Sequence, residues 1–342
     1  MSSNSILAPS KWLLSTIVAL VCSVETANAT CGSGGGMPGG DGTNGSDCNS
    51  FTDGFYNKYK LDLGLAGRTH RWAIFTYGSG TSGSPFTAID VSSPTSTTQF
   101  GYQIMGDIAM AGAYSNLKVS GYGSVSGDRY EHTTSTETGV PPNAVIAGSR
   151  FSSSTLDSYA VQAINSLKNV STTAAGLTKT SGSPSSINMS GGTMNFSNSG
   201  NPFNGKYVMN LSSLTLNNGA VLNLSGAAGS AFVVNVSGAF SLNNSSQIAL
   251  SGGLTPSDVL FNVTGNSGAF SILGNSLFQG TLLAYNKSGA QRTLTVDGAN
   301  TLIRGEIIAN KVVVSGGAKV RKPPKASCDG DRDEHERERE RD

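Results

Sequence analysis

Past residue 185 the chain consists of short bursts in which apolar and polar residues alternate, each closed by Gly, Asn or Ser. In SLTLNNGAVLNLSG (213–226), single polar residues separate Leu214 from Leu216 and Leu222 from Leu224. A two-residue period puts these leucines on one face of a strand, with Thr215 and Asn223 on the other. The earlier chain has the same texture. WAIFTY within 61–80 and GYQIMGDIAMAGAYSNLKVSGYGSVSG (101–127) are predicted to form strands of roughly three to five residues that turn at glycine. One segment departs from this pattern. TLDSYAVQAINSLKNV (155–170) carries Leu156, Tyr159, Ala160, Ala163, Ile164 and Leu167 at helical spacing, which predicts an amphipathic helix. Thr155 is the expected N-cap, with Asp157 in the first turn. The helix's apolar stripe needs a sheet to lie on.

The bursts also repeat. AFSLNNSSQIALSG (239–252) restates the 213–226 stretch 26 residues later. It aligns Leu214 with Phe240, Leu216 with Leu242, Leu222 with Ile248 and Leu224 with Leu250. FVVNVSG (232–238) is answered by LFNVTG (260–265), AFSILGNS (269–276) is a third echo, and FQGTLLA (278–284) is answered by IRGEIIA (303–309). Each burst is too short to enclose a core alone. Stacked as successive coils, the bursts would bury one continuous apolar column, which explains the repetition. Asn and Gly at the corners supply the left-handed backbone that coil turns need. The alternative is a β-sandwich with glycine-rich hairpins, whose strands have no reason to repeat their sequence.

Composition narrows the function. Charged residues make up 13% of the 342, and the net charge is +1. That balance generates no long-range field for nucleic acid or an anionic membrane. At the N-terminus, Lys11 precedes the apolar run WLLSTIVALVCSV (12–24), and Ala27-Asn28-Ala29 fits a small-x-small cleavage site. Residues 1–29 therefore read as a signal peptide cleaved after Ala29, and the chain as secreted or at the cell surface. Residues 30–60 form a Gly-rich segment in which Cys31 and Cys48 flank GSGGGMPGGDGTNGSD and are the natural disulfide pair. Cys328 is left over. Residues 61–320 form the repeat domain. The charged stretch 321–342 cannot bury a core and reads as a disordered tail. Asp329, Asp331, Asp333 and Glu340 have partial calcium-loop spacing, but Glu334 stands where that loop needs Gly.

Candidate chemistry is sparse. Among the later coils, Asp258 and Asp297 sit in turn contexts, and Glu306 lies in a strand beside Arg304, where a cross-coil ion pair is the expected role. His70, His132 and His335 are far apart and lack metal-ligand spacing. No nucleophile elbow and no phosphate loop is present. Tyr114, Tyr122 and Tyr130 recur every eight residues. They could stack on sugars or a protein partner, but packing is the preferred reading. No catalytic, cofactor-binding or metal site is assigned. Asn223-Leu224-Ser225 and Asn235-Val236-Ser237 are sequons that a Ser/Asn-rich chain produces by composition.

SGGLTPSDVLFNV (251–263), FQGTLLAYN (278–286) and GEIIANKVVVSGGAKV (305–320), with LGLAGRTHRWAIFTYGSG and MGDIAM before them, resemble the secreted choice-of-anchor A family, whose members are often described as collagen-binding-like. The order of strands, one long helix and GTLLA-like coils is also similar to the ice-binding β-solenoid family. That second resemblance implies an all-β, right-handed β-solenoid with one long α-helix packed along its side. The expectation is an exported, non-enzymatic structural or adhesion protein whose rigid surface meets an extracellular matrix or cell-surface polymer or protein. No cofactor, nucleic acid or membrane span of the mature chain is expected. The alternative is an ice-binding protein. Outward residues Thr215, Ser241, Asn223, Ala249 and Ser271 look too mixed for a regular Thr-rich face.

Overall fold

The computed structural model describes residues 72–94, 102–139, 142–198, 206–228, 230–285 and 292–322. The chain divides into compact units 1–47 and 48–342, and every described residue belongs to the second. The signal peptide, the Gly-rich segment with Cys31 and Cys48, Cys328 and the tail beyond Lys322 lie outside the described residues.

The strands form two parallel sheets, one of nine strands and one of sixteen. The larger sheet folds over two faces, so each coil visits three faces in turn. The expected stacking is observed residue by residue. Leu214 pairs with Phe240 and Leu216 with Leu242; Leu222 pairs with Ile248 and Leu224 with Leu250. Phe240 then pairs with Phe270, and Leu242 with Ile272. Asn235 pairs with Asn262, and Phe278 through Leu283 pair with Ile303 through Ile308. Paired positions bury the same residue type. Leu214, Leu216, Phe240, Leu242 and Ile272 have no exposed surface and join one continuous core. Each contributes about 1.5–3 kcal/mol of transfer free energy.

Corners repeat as well. Asn218, Asn244 and Asn275 adopt positive φ (53°, 52° and 66°). The Asn243 amide donates to Asn217 Oδ1 at 3.0 Å, and that of Asn244 to Asn218 Oδ1 at 3.2 Å. The paired asparagines of the repeat are thus a corner ladder. A second corner needs glycine. A Cβ on Gly305 would lie 1.9 Å from Gly280 O, and one on Gly148 2.1 Å from Gly127 O. This stack follows a second repeat, with no counterpart among the 26-residue echoes: MGDIAM (105–110), SGDRYE (126–131) and AGSRFS (147–152). Asp107 Oδ1 accepts from Asp128 N at 2.9 Å, and Asp128 Oδ1 from Ser149 N at 2.8 Å, each across 21 residues.

The rungs do not follow chain order. In the nine-stranded sheet, the strands from Ile187–Ser190 to Lys311–Ser315 stack in sequence, and Phe86–Ser93, Ser115–Gly121 and Thr136–Thr138 follow beyond them. The described chain therefore enters in the middle, builds to one end, crosses to the other, and builds back until its last described coil meets its first. The single α-helix among the described residues, α1 (Ser154–Ala175), makes the crossing. Its 22 residues span about 33 Å, close to the ~38 Å covered by the eight steps between nine rungs.

Helix α1 extends beyond the predicted 155–170, and its N-cap is Ser153, not Thr155. Ser153 has extended backbone (φ −163°, ψ 159°) and its Oγ accepts from Leu156 N at 3.2 Å. Thr155 already lies inside the first turn. Ala163 and Leu167 are buried as expected, and Val170, Ser171 and Ala174 continue the stripe. They pack on Phe75, Val233, Leu260, Leu283 and Ile308 from the sheet beneath. Where the helix ends, three stacked asparagines receive it. Asn262 Nδ2 donates to Ser171 O at 2.9 Å and Asn235 Nδ2 to Ala174 O at 2.7 Å. Asn210 Nδ2 donates to Leu177 O at 3.2 Å. Ser171 Oγ returns a bond to Asn262 Oδ1 at 2.7 Å. These amides tie the last turn of α1 and the residues just past it to the sheet.

One rung is assembled from both ends of the domain. Arg321 pairs with Arg304 on one side and Met105 on the other, and Ile74 pairs with Ile307 and Ile108. Two residues intervene in each neighbouring rung, Gly305 and Glu306 or Gly106 and Asp107. Lys322 and Ala73 fill those two places. Lys322 N donates to Met105 O at 3.0 Å, and Ala73 N to Asp107 O at 2.8 Å. The coil lacks one peptide bond but keeps its register. The domain thus runs through Lys322, past the boundary of 320 read from composition.

The Thr136–Thr138 end is finished with charge. Glu131 Oε2 accepts from Arg150 Nε at 2.7 Å, and Glu137 Oε2 from Arg129 Nη1 at 2.6 Å. Burial raises the Glu131 pKa, and Arg150 opposes that rise. Charged pairs at an end rung discourage further stacking.

Gly305→Ala is expected to lower stability by about 2–4 kcal/mol, because the new methyl meets backbone. Gly83→Ala, which meets nothing within 4 Å, is expected to change it by less than ~0.5 kcal/mol. Urea unfolding midpoints check both. Asn262→Ala is expected to cost about 1–3 kcal/mol by stranding buried partners, with amide exchange in the last turns of α1 rising before that of the coils.

Candidate binding face

Three faces surround the core, and their outer surfaces differ. The helix covers one. Its outward residues are largely apolar, including Phe75, Ala109, Leu283 and Ile308, all buried beneath or beside α1. The third face, on the first half of the folded sheet, mixes Thr193, Val221, Gln247, Leu277, Leu302 and Lys319 in one row. The nine-stranded sheet is left as a long, open surface.

Its central outward row is continuous. Asn188 pairs with Thr215, Thr215 with Ser241, Ser241 with Ser271, and Ser271 with Thr295. The row continues through Val313, Asp90, Lys118 and Thr138. From Asn188 to Thr295 every member is small and uncharged, and rungs repeat at about 4.8 Å. Thr215, Ser271 and Thr295 are half-buried, while the shorter Ser241 is 3% exposed between its neighbours. A parallel row contains Leu273, Asp297 and Ser315, with Ser315 Oγ donating to Asp297 Oδ1 at 2.6 Å. Within the central row, charge enters only toward the far end, where Lys118 Nζ lies 3.1 Å from Asp90 Oδ2. The one break in register is the bulge between Thr87 and Ile89.

This arrangement corrects the reading that the outward residues are mixed. Thr215, Ser241 and Ser271 share one row of the open sheet. Asn223 and Ala249 belong to the third face, where they pair with each other. Pooling residues from two faces concealed the regularity of one. The alternation inside a burst shows which residues point outward, but not where the coil turns its corner.

The other singled-out residues do not converge. Tyr130 packs edge-on to Trp72 (4.8 Å between centroids) and stacks on Phe151 (5.1 Å) beside the helix. Burial, with Asp107 and Asp128 nearby, pushes its phenol up to about 12. Tyr114 adopts φ 52° at a different corner, so the tyrosines form no common platform. Asp258 accepts from Thr255 N and Oγ1, both at 2.7 Å, a turn role as expected. Glu306 is buried while Arg304 is exposed, and the Gly305 bend puts them on different faces, so adjacency in sequence does not make them a cross-coil pair. His132 Nδ1 accepts from Thr134 N at 3.2 Å. His70 and His335 lie outside the described residues. Among the described residues no group of three or more His, Cys, Asp or Glu could hold a metal. No described helix is long and apolar enough to cross a membrane. Asn235, of the second sequon, is 7% exposed and committed to the helix end.

Residues 73–320 match the family described as "Putative Ice-binding-like adhesive domain". The chain belongs to this family, and the matched span corresponds to the solenoid with its interrupted rung. No curated protein matches. Among solved structures, an ice-binding protein (LeIBP) from Arctic yeast is similar at 18% identity, covering 79% of this chain and 96% of its own, with a TM-score of 0.46. An ice-binding protein from the Antarctic ascomycete Antarctomyces psychrotrophicus shows 19% identity, 77% and 98% coverage and a TM-score of 0.44. The DUF3494 domain of Shewanella frigidimarina ice-binding protein_1 shows 13%, 74% and 95%, and 0.43. The family match agrees with the resemblance to ice-binding solenoids. The choice-of-anchor A resemblance has no counterpart among these matches.

Proposed function

We propose that this domain binds ice through its open nine-stranded sheet and acts as a non-enzymatic adhesive module on an exported chain. One observation carries the reading: the in-register row Asn188, Thr215, Ser241, Ser271 and Thr295 on the face that the helix leaves uncovered. Ice is a repeating surface without pockets, so recognition requires a repeating, rigid counterpart. Hydrogen-bonded rungs fix the spacing, and the β-branched threonines have few χ1 options to lose. Little conformational entropy then opposes binding. Family membership supports the same reading, since the family's description joins ice binding to adhesion. Attachment to a protein matrix finds no such support on the open sheet. Anchoring to the producing cell, which the choice-of-anchor A likeness implies, would suit an adhesive role.

Thermal hysteresis and inhibition of ice recrystallisation test the proposal. Thr215→Tyr and Thr295→Tyr should each reduce activity by roughly an order of magnitude, because a large ring near the centre of the row prevents close contact. Asn223→Tyr, on the third face, should leave it unchanged. A parent protein without hysteresis, or threonine variants as active as the parent, would refute ice binding by this sheet.

A further inference from the structure

The third face concentrates positive charge. Arg304 and Arg321 pair in register on adjacent rungs, so two guanidinium groups leave the same surface about 4.8 Å apart. Lys319, two residues from Arg321, shares that face, and Lys322 follows at its edge. Lys322 Nζ is 3.7 Å from Asp107 Oδ2. Glu306, on the same strand as Arg304, is buried beyond the Gly305 bend, and the described positions paired on this face before that bend hold no Asp or Glu.

The contrast with the domain's other described arginines is informative. Arg129 is paired with Glu137 and Arg150 with Glu131. Arg292 lies over the Phe270 ring at 4.6 Å and donates to the carbonyls of Gly265, Ser267 and Ala269. Arg304 and Arg321 have no such neutralisation, and Arg321 Nε is enclosed without an acceptor. Like charges opposed across neighbouring strands destabilise a sheet. Burial, and secondarily Arg321, lowers the Lys319 pKa.

We propose that this face binds a carboxylated polysaccharide laid across the rungs, with its carboxylates on Arg304 and Arg321 and with Lys319 and Lys322 flanking them. Guanidinium groups pair with carboxylates through two parallel hydrogen bonds. The rung spacing is comparable to the advance of one sugar residue along an extended chain. Leu277 and Leu302, outward beside the cations, offer a small aliphatic strip to sugar rings. Nucleic acid would call for aromatic side chains among the cations, and the described strands hold none there. Polymer bound at this face would leave the open sheet free, so one domain could hold a polymer and an ice surface at once.

The test uses the full chain and does not involve ice. Protein is passed over polygalacturonate beads, with neutral dextran beads as control, at low and raised salt. Retention on polygalacturonate alone, released by salt, is expected. Arg304→Ser/Arg321→Ser should weaken binding by roughly ten-fold or more without altering the circular dichroism spectrum. Lys168→Ser/Lys179→Ser should bind as the parent does. If the double variant loses its fold, Arg304→Ser alone decides, because that side chain is exposed; weaker binding is expected and parental binding overturns the proposal. No retention, undiminished retention of the arginine variants, or tighter binding to anionic phospholipid vesicles or duplex DNA would also overturn it.

Discussion

Every coil of this domain depends on its neighbours for hydrogen bonds and for a dry interior. A single rung has three short strands with no partners of their own and only two or three apolar side chains per strand. In-register stacking solves both problems together. Parallel pairing satisfies the backbone and sets Leu216 against Leu242 and Ile272 in the same operation. A slip of one residue would send Thr215 and Ser241 inward and the leucines into water. The register that builds the core therefore also builds the outer rows.

The same constraint explains the connectivity. A stack without chain closure has two ends and a bare apolar outer face. Here the helix joins one end to the other and covers that face, and its length approximates the height of the stack. The asparagines at 210, 235 and 262, which occupy one vertical row, fasten the end of the helix to the sheet. The opening in the chain is moved to an interior rung, where Lys322 and Ala73 meet in register and the coils above and below hold both ends. Consequently Ala73 and Lys322 share one corner, where the two faces of the sixteen-stranded sheet meet.

Function follows from which surfaces this plan uses up. The helix takes one face. Of the other two, one bears a row of small hydroxyl and amide groups at rung spacing, and the other bears two arginines stacked in register. Neither resembles a catalytic cleft, and Asp258 in its turn and Glu131 in the charged end have structural roles. Binding extended, repetitive surfaces suits a scaffold whose own geometry is repetitive.

Much of this was legible in the chain. The 26-residue echo identified Leu214, Leu216, Leu222 and Leu224 as rung partners of Phe240, Leu242, Ile248 and Leu250, because stacked identical environments select similar residues. The helix was legible from its period, and the corner asparagines from their need for positive φ. The 21-residue glycine-aspartate echo was equally present but shorter, and its meaning depends on a backbone contact with the rung below. What no local pattern could reveal was which coil lies beside which once chain order is broken, that Lys322 and Ala73 share a rung, or that Thr215 and Asn223 face different directions. Alternation along a strand is a local consequence of the pleat and can be read from sequence. The position of a corner, and the partner across it, are settled only when all nine rungs compete for the same column.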